Sequence, residues 1–79
     1  MRLDKFLKVS RIIKRRTVAN EASSRGRVQL NGKVAKPGSE VKAGDIIRIQ
    51  FGEQARQYEV LLVTDHVPKG DATQMHREL

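Results

Sequence analysis

The 79-residue chain contains no cysteine and no tryptophan, and its only aromatic residues are Phe6, Phe51 and Tyr58. Without cysteine there is neither a disulfide framework nor a thiolate metal cluster, which sets aside secreted mini-proteins and makes a reducing cytoplasm the expected compartment. So few rings argue against single-strand nucleic-acid modules, which stack successive bases on exposed aromatics. Phe6 and Phe51 are expected in the core, which leaves Tyr58 as the ring placed to reach a base. No apolar run approaches the ~20 residues of a membrane-spanning helix, and Met1-Arg2-Leu3-Asp4-Lys5 does not open like a signal peptide. Histidine is scarce as well. His66 and His76 lie in a breaker-rich stretch without the further ligands that a metal site requires. Thr17, Ser23 and Ser24 have no histidine base nearby, no Gly-rich phosphate loop of Walker type occurs, and Asp4, Asp45 and Glu59 are dispersed. These gaps remove the common catalytic constellations, and no cofactor or metal is expected.

Acidic residues are few where it matters. Residues 1–36 carry eleven cations against Asp4 and Glu21, a local net charge of +9, whereas residues 37–79 net to −2. The whole chain stands at +7 with a pI near 10.4. Solubility is met by mixed surface charge of either sign, so a concentration of cations at one end points to a polyanionic partner.

The hydrophobic pattern divides the chain. Leu3, Phe6 and Leu7 recur at helical spacing, so Arg2 to Val9 reads as a short amphipathic helix with Asp4 in its first turn. Ser10 to Arg16 is a basic connection anchored by Ile12 and Ile13. Thr17 is the expected N-cap of a second short helix, with Val18, Ala19 and Ala22 as its apolar stripe and an end near Ser24. Gly26 suits a left-handed helix end. The period then changes to two: Val28 and Leu30 alternate with Arg27 and Gln29, and Asn31-Gly32 is a strong hairpin signal before Lys33-Val34-Ala35. Ile46 to Phe51 and Tyr58 to Thr64 read as further strands, with Gly52 to Gln57 as a loop between them. An α+β domain is expected, two layers with two short N-terminal helices followed by a small, mainly antiparallel sheet of about four strands. Its bounds are residues 1–65, with 66–79 a mobile C-terminal tail in which a short helix from Ala72 is marginal. A domain this small buries only about 60% of its unfolded surface.

Arg11, Lys14, Arg15 and Arg16 lie within six residues. Spread over a turn held by two isoleucines, they would neutralise several phosphates at once, and arginine's planar fork pairs with phosphate in a way lysine cannot match. Thr17 and the amides after it add a helix N-terminus. Arg2 is a first-turn cation that opposes the helix dipole unless Asp4 offsets it, which suggests a use elsewhere. Arg25 and Arg27 flank Gly26 and can project toward the same ligand, while Lys5 and Lys8 occupy the polar face of the first helix. The second helix offers few polar side chains to read base edges, so folded RNA recognised by shape and phosphate is favoured over DNA.

The order of helix, basic connection and helix, then Ser24-Arg25-Gly26-Arg27-Val28-Gln29-Leu30-Asn31-Gly32-Lys33-Val34 and Val41-Lys42-Ala43-Gly44-Asp45-Ile46-Ile47, resembles the RNA-binding domain named after small-subunit ribosomal protein S4. The resemblance implies the S4-like (alpha-L) fold. Within that family the chain is similar to the bacterial ribosome-associated quality-control members, relatives of heat-shock protein fifteen. For the partners, this implies rRNA and tRNA on a large ribosomal subunit still carrying peptidyl-tRNA, and a tail-adding protein that extends the stalled chain with alanines. A monomer bound to RNA, with no membrane partner, is the expected state. A structural or assembly-associated ribosomal protein is the alternative, and a stand-alone relative of the appendage domains of RNA-modification enzymes is a weaker one.

Overall fold

The structure, a computed structural model, describes residues 1–65 and 72–79. Helix α1 spans Leu3–Val9, and the three residues at its helical spacing, Leu3, Phe6 and Leu7, are fully buried. Its first amides are satisfied by a distant turn: Leu3 N–H donates to the Ser39 carbonyl at 2.8 Å and Asp4 N–H to that of Pro37 at 3.1 Å. A helix end that would otherwise leave donors orphaned is thereby tied to the middle of the chain.

Helix α2 spans Arg16–Ser24. Thr17 therefore lies inside its first turn and is not the N-cap. Arg15 takes that position in an extended conformation, its carbonyl accepting Ala19 N–H at 3.0 Å, and no side chain caps the end. Ala19 and Ser23 face the core, and the Ser23 hydroxyl is satisfied within the helix by the Ala19 carbonyl at 2.8 Å. Val18, read as part of the buried stripe, is 47% exposed. The helix ends as the sequence suggests. Gly26 has φ +74°, Arg27 N–H reaches back to the Ala22 carbonyl at 3.0 Å, and Gly26 N–H to that of Ser23 at 3.2 Å.

Five strands follow: β1 Val28–Leu30, β2 Lys33–Val34, β3 Ile46–Phe51, β4 Gln54–Val60 and β5 His76–Glu78. They form one open antiparallel sheet in the order β2-β1-β3-β4-β5. Asn31 and Gly32 both have positive φ, the requirement of the two-residue hairpin turn between β1 and β2. Asn31 also clasps the Gly44-Asp45 turn: its Nδ2 donates to Asp45 Oδ1 at 3.0 Å and its Oδ1 accepts Ile46 N–H at 2.9 Å. The two turn signals are thus a single joint in the fold.

Two expectations change in the second half. The segment 52–57 is not a loop, because Gly52 at φ +60° makes a two-residue turn and Gln54 already pairs with Phe51. Residues 54–57 are exposed and lack alternation, so backbone pairing rather than burial makes them strand. The strand ends at Val60 rather than Thr64. The mobile tail expected over 66–79 also needs revision at its end, while its first part, 66–71, lies outside the described residues. Ala72–Met75 forms a 3-10 turn and β5 pairs with β4, with Met75 fully buried. The Leu61 and Leu62 amides both donate to the Met75 carbonyl, at 2.8 and 3.2 Å. A lone buried methionine carries no periodicity, and so this docking left no pattern to read.

The core gathers α1, Ile13, Ala19, Val28, Ala35, Val41, Met75 and the inward residues of β3 and β4, namely Ile47, Ile49, Tyr58 and Val60. The helices form one layer and the sheet the other. Tyr58 is 6% exposed and packs edge-on against His76, with ring centroids 5.5 Å apart, so it is not free to reach a base. Phe51, expected inside, is 42% exposed. The two rings have exchanged their expected places.

Candidate nucleic-acid interface

The organising residue of the basic surface is an acid. Asp4 is 2% exposed, although it belongs to the polar side of α1. Its Oδ1 accepts the Lys5 amide at 2.8 Å and Arg2 Nε at 3.2 Å; its Oδ2 accepts Arg2 Nη2 at 3.4 Å and Asn20 Nδ2 at 3.3 Å. Arg16 Nη2 stands 3.5 Å from Oδ1. Arg16 and Asn20 are one helical turn apart on α2, so a single face of that helix meets the carboxylate. Burial raises the pKa of Asp4, but the hydrogen bonds from Asn20 and Arg2 and the charges of Arg16 and Arg2 outweigh it and hold the carboxyl below its ordinary value. Asp4 is therefore a fixed anion, and both guanidinium groups, about half exposed, fan outward from it.

Arg2, Lys5 and Arg16 line one cleft of about 450 Å³ together with Met1 and residues 63–65. Lys5 Nζ pairs with Asp65 at 2.7 Å and the terminal amine with Glu40 at 3.6 Å. Three of the predicted cations thus meet at one concavity, and each is oriented by a carboxylate.

The others lie elsewhere. Lys8 is exposed in the last turn of α1. Arg11, Lys14 and Arg15 are exposed along the connection, which Ile13 anchors in the core with Ile12 partly buried beside it. Arg11 sits just past the end of α1 at φ +62°, a position that favours glycine, while its N–H donates to the Lys8 carbonyl at 3.0 Å. Arg25 and Arg27 flank the other end of α2 and are exposed, as is Thr17. On the helical wheel, Arg16 and Asn20 fall on one side of the buried Ala19–Ser23 stripe, and Val18 and Ala22 on the other. Arg2, Lys5 and Arg16 therefore share one cleft, and the other cations are not among its lining residues. Asp4 and Asn20 are the contributors that sequence reasoning did not place in the site. The available signal was that Asp4 is one of only two acids among the first 36 residues.

The model of the S4 domain matches residues 1–47, the stretch that holds both helices, the hairpin and the start of β3. The chain belongs to the S4 domain family. This S4 protein is 49% identical over 76 residues to the RQC P-site tRNA stabilizing factor of Listeria monocytogenes, covering 96% of this chain and 83% of that one. Against the factor of the same name from Bacillus subtilis the identity is 47%, with 96% and 88% covered. A trimeric structure of heat shock protein 15 from Vibrio cholerae superimposes with a TM-score of 0.88 at 31% identity, covering all of this chain and 81% of that one. Kinship with these proteins sets aside an enzymatic reading of this S4 protein. Among the described residues, no group of three or more His, Asp or Glu side chains could hold a metal ion, and no helix is long and apolar enough to cross a membrane.

Proposed function

We propose that the chain is a non-catalytic RNA-binding factor of the cytoplasm that holds tRNA and rRNA on the large ribosomal subunit. Its place is on subunits that carry stalled peptidyl-tRNA, where it supports a partner that adds an alanine tail. The observation that carries this reading is the convergence of Arg2, Lys5 and Arg16 on one cleft, two of them spread by the buried Asp4, in a chain nearly half identical to P-site tRNA stabilizing factors. Preset guanidinium forks suit phosphate, and each neutralised phosphate releases counterions. The exposed Lys8, Arg11, Lys14, Arg15, Arg25 and Arg27 extend the footprint around both ends of α2, and Thr17 adds a hydroxyl beside the first amides of that helix.

Sedimentation of the endogenous protein through sucrose gradients tests the assignment. A recruited factor co-sediments with large subunits below unit stoichiometry and increases when stalling is induced, whereas a structural constituent tracks every large subunit equally. Absence from all ribosomal particles at low salt refutes the ribosomal reading. At the level of RNA, log affinity should fall linearly with log salt, with a slope close to the number of phosphates contacted. A flat response would point to a protein partner.

A further inference from the structure

On the side of α2 away from Asp4, the core is left unroofed. β3 points Ile47, Ile49 and Phe51 to the same face, and the first two are buried while Phe51 is 42% exposed. The helix layer ends before it reaches Phe51. What remains is a cleft of about 460 Å³ whose walls include Ile12, Val18, Ala22, Ile49 and Phe51, with Arg27 also lining it. That volume lies within the ~300–1,000 Å³ range of small-molecule sites. Arg15 and Arg25 are the exposed residues that flank α2 at its two ends, outside the lining of the cleft.

An apolar slot with an aromatic wall is chemically unlike the carboxylate-ordered cleft on the other side of the helix. Its surroundings also select against most apolar occupants. Arg27 stands within the cleft and Arg15 and Arg25 flank α2, and among the described residues none of the three forms a salt bridge. A second copy of this cationic chain would oppose these charges, and a neutral apolar peptide would leave them uncompensated. A nucleotide satisfies both parts at once, with a flat base against Phe51 and Val18 and a phosphate on Arg27. We infer that this cleft receives one unstacked nucleobase of the bound RNA, Phe51 and Val18 holding the base while Arg27 holds its phosphate. The inference rests on the RNA-binding reading above and adds a subsite to it. Recognition of the RNA then includes a nucleotide that is bulged or in a loop, and not its helical shape alone.

The test compares a blunt RNA duplex with the same duplex carrying one bulged adenosine, the bulge replaced by 2-aminopurine for a fluorescence readout. The wild-type protein should bind the bulged RNA about tenfold more tightly, the scale of one base stacked on an aromatic side chain. Phe51→Ala should bring the bulged RNA down to the blunt-duplex affinity and leave the latter unchanged, and Phe51→Leu should recover only part of the gap. Circular-dichroism melts of both variants should match the wild type, since the ring is not part of the sealed core. Equal wild-type affinity for the two RNAs overturns the subsite while leaving the RNA-binding reading intact. So does a gap that survives Phe51→Ala, or a Phe51→Ala whose only effect is to dissociate an oligomer in analytical ultracentrifugation. Failure to bind either RNA overturns the functional reading itself, and the subsite with it.

Discussion

Replacing Asp4 with Asn sets two physical accounts of the basic surface against each other. The change raises the formal net charge of +7 by one, so a surface that worked by charge alone would bind RNA more tightly. The geometry predicts the opposite. Asn keeps an oxygen for the Lys5 amide and for Arg16, but its new amide group, in place of Oδ2, faces Arg2 Nη2 and Asn20 Nδ2, both of them donors. Leaving a buried acceptor site occupied by a donor costs about 1–3 kcal/mol, and the half-exposed arginine pairs add only about 0.2–1 kcal/mol each. A destabilisation of about 2 kcal/mol follows, and at roughly 4–8 °C per kcal/mol for a domain of this size the melt should fall by about 8–16 °C. Binding suffers because two released arginines must be ordered again on RNA, at about 0.5–1.5 kcal/mol for each immobilised side chain. Since neither was fully fixed before, the low end applies, and Kd should rise by about fivefold. Fluorescence anisotropy with a labelled RNA hairpin, well below the melt and at several salt concentrations, measures this. Affinity equal to or above that of the wild type would show that Asp4 does not position the arginines, and the reasoning would fail.

Three further outcomes follow from the same geometry. Arg11→Gly and Arg11→Ala should weaken RNA binding equally, but the glycine variant should melt higher. At φ +62° an L side chain costs about 1–2 kcal/mol, which glycine relieves less its own entropy of about 0.5–1 kcal/mol; equal melts would remove the strain from the account. Met75→Ala should cost about 2–5 kcal/mol in urea denaturation, because the side chain is fully buried in the core, and a neutral result would detach residues 72–79 from the folding unit. His76, whose pKa is lowered by burial against a smaller opposing effect of Glu78, stays neutral in the fold more readily than in the unfolded chain. The unfolded state therefore takes up the proton first, so this contribution is complete above the ordinary value of 6.5 and is lost as pH falls below it. Asp4, with a depressed pKa, acts lower: its contribution is complete above 3.8 and is lost as pH falls through the folded value. Stability against pH should show two separate declines, with the upper one absent in His76→Phe.

Much of the architecture was legible along the chain. Leu3, Phe6 and Leu7 announce α1, Asn31-Gly32 the first hairpin, and Gly26 the end of α2, because each is a local requirement of backbone geometry or of one helix face. The misreadings share a cause. Gln54–Gln57 form strand through pairing with β3, Met75 docks through one isolated contact, and Thr17 yields the cap to Arg15 although its residue type fits. None of these outcomes is set by residue type alone: pairing across the β3–β4 turn decides the first, and a contact with Leu61 and Leu62 the second.

For the site, composition alone placed the cations in residues 1–36, since a local charge of +9 needs no fold to be counted. Which of them act together was decided in three dimensions. Arg2 and Arg16 are fourteen positions apart and meet only because α1 and α2 pack with Asp4 buried between them, where the loss of water makes its few partners strong enough to orient both side chains. The exchange of Phe51 and Tyr58 has the same origin. Both are aromatic residues on strands with inward-facing positions, and their sequence surroundings do not say where the helix layer stops. Periodicity reports which face a residue occupies; only the packed neighbours settle whether that face is covered.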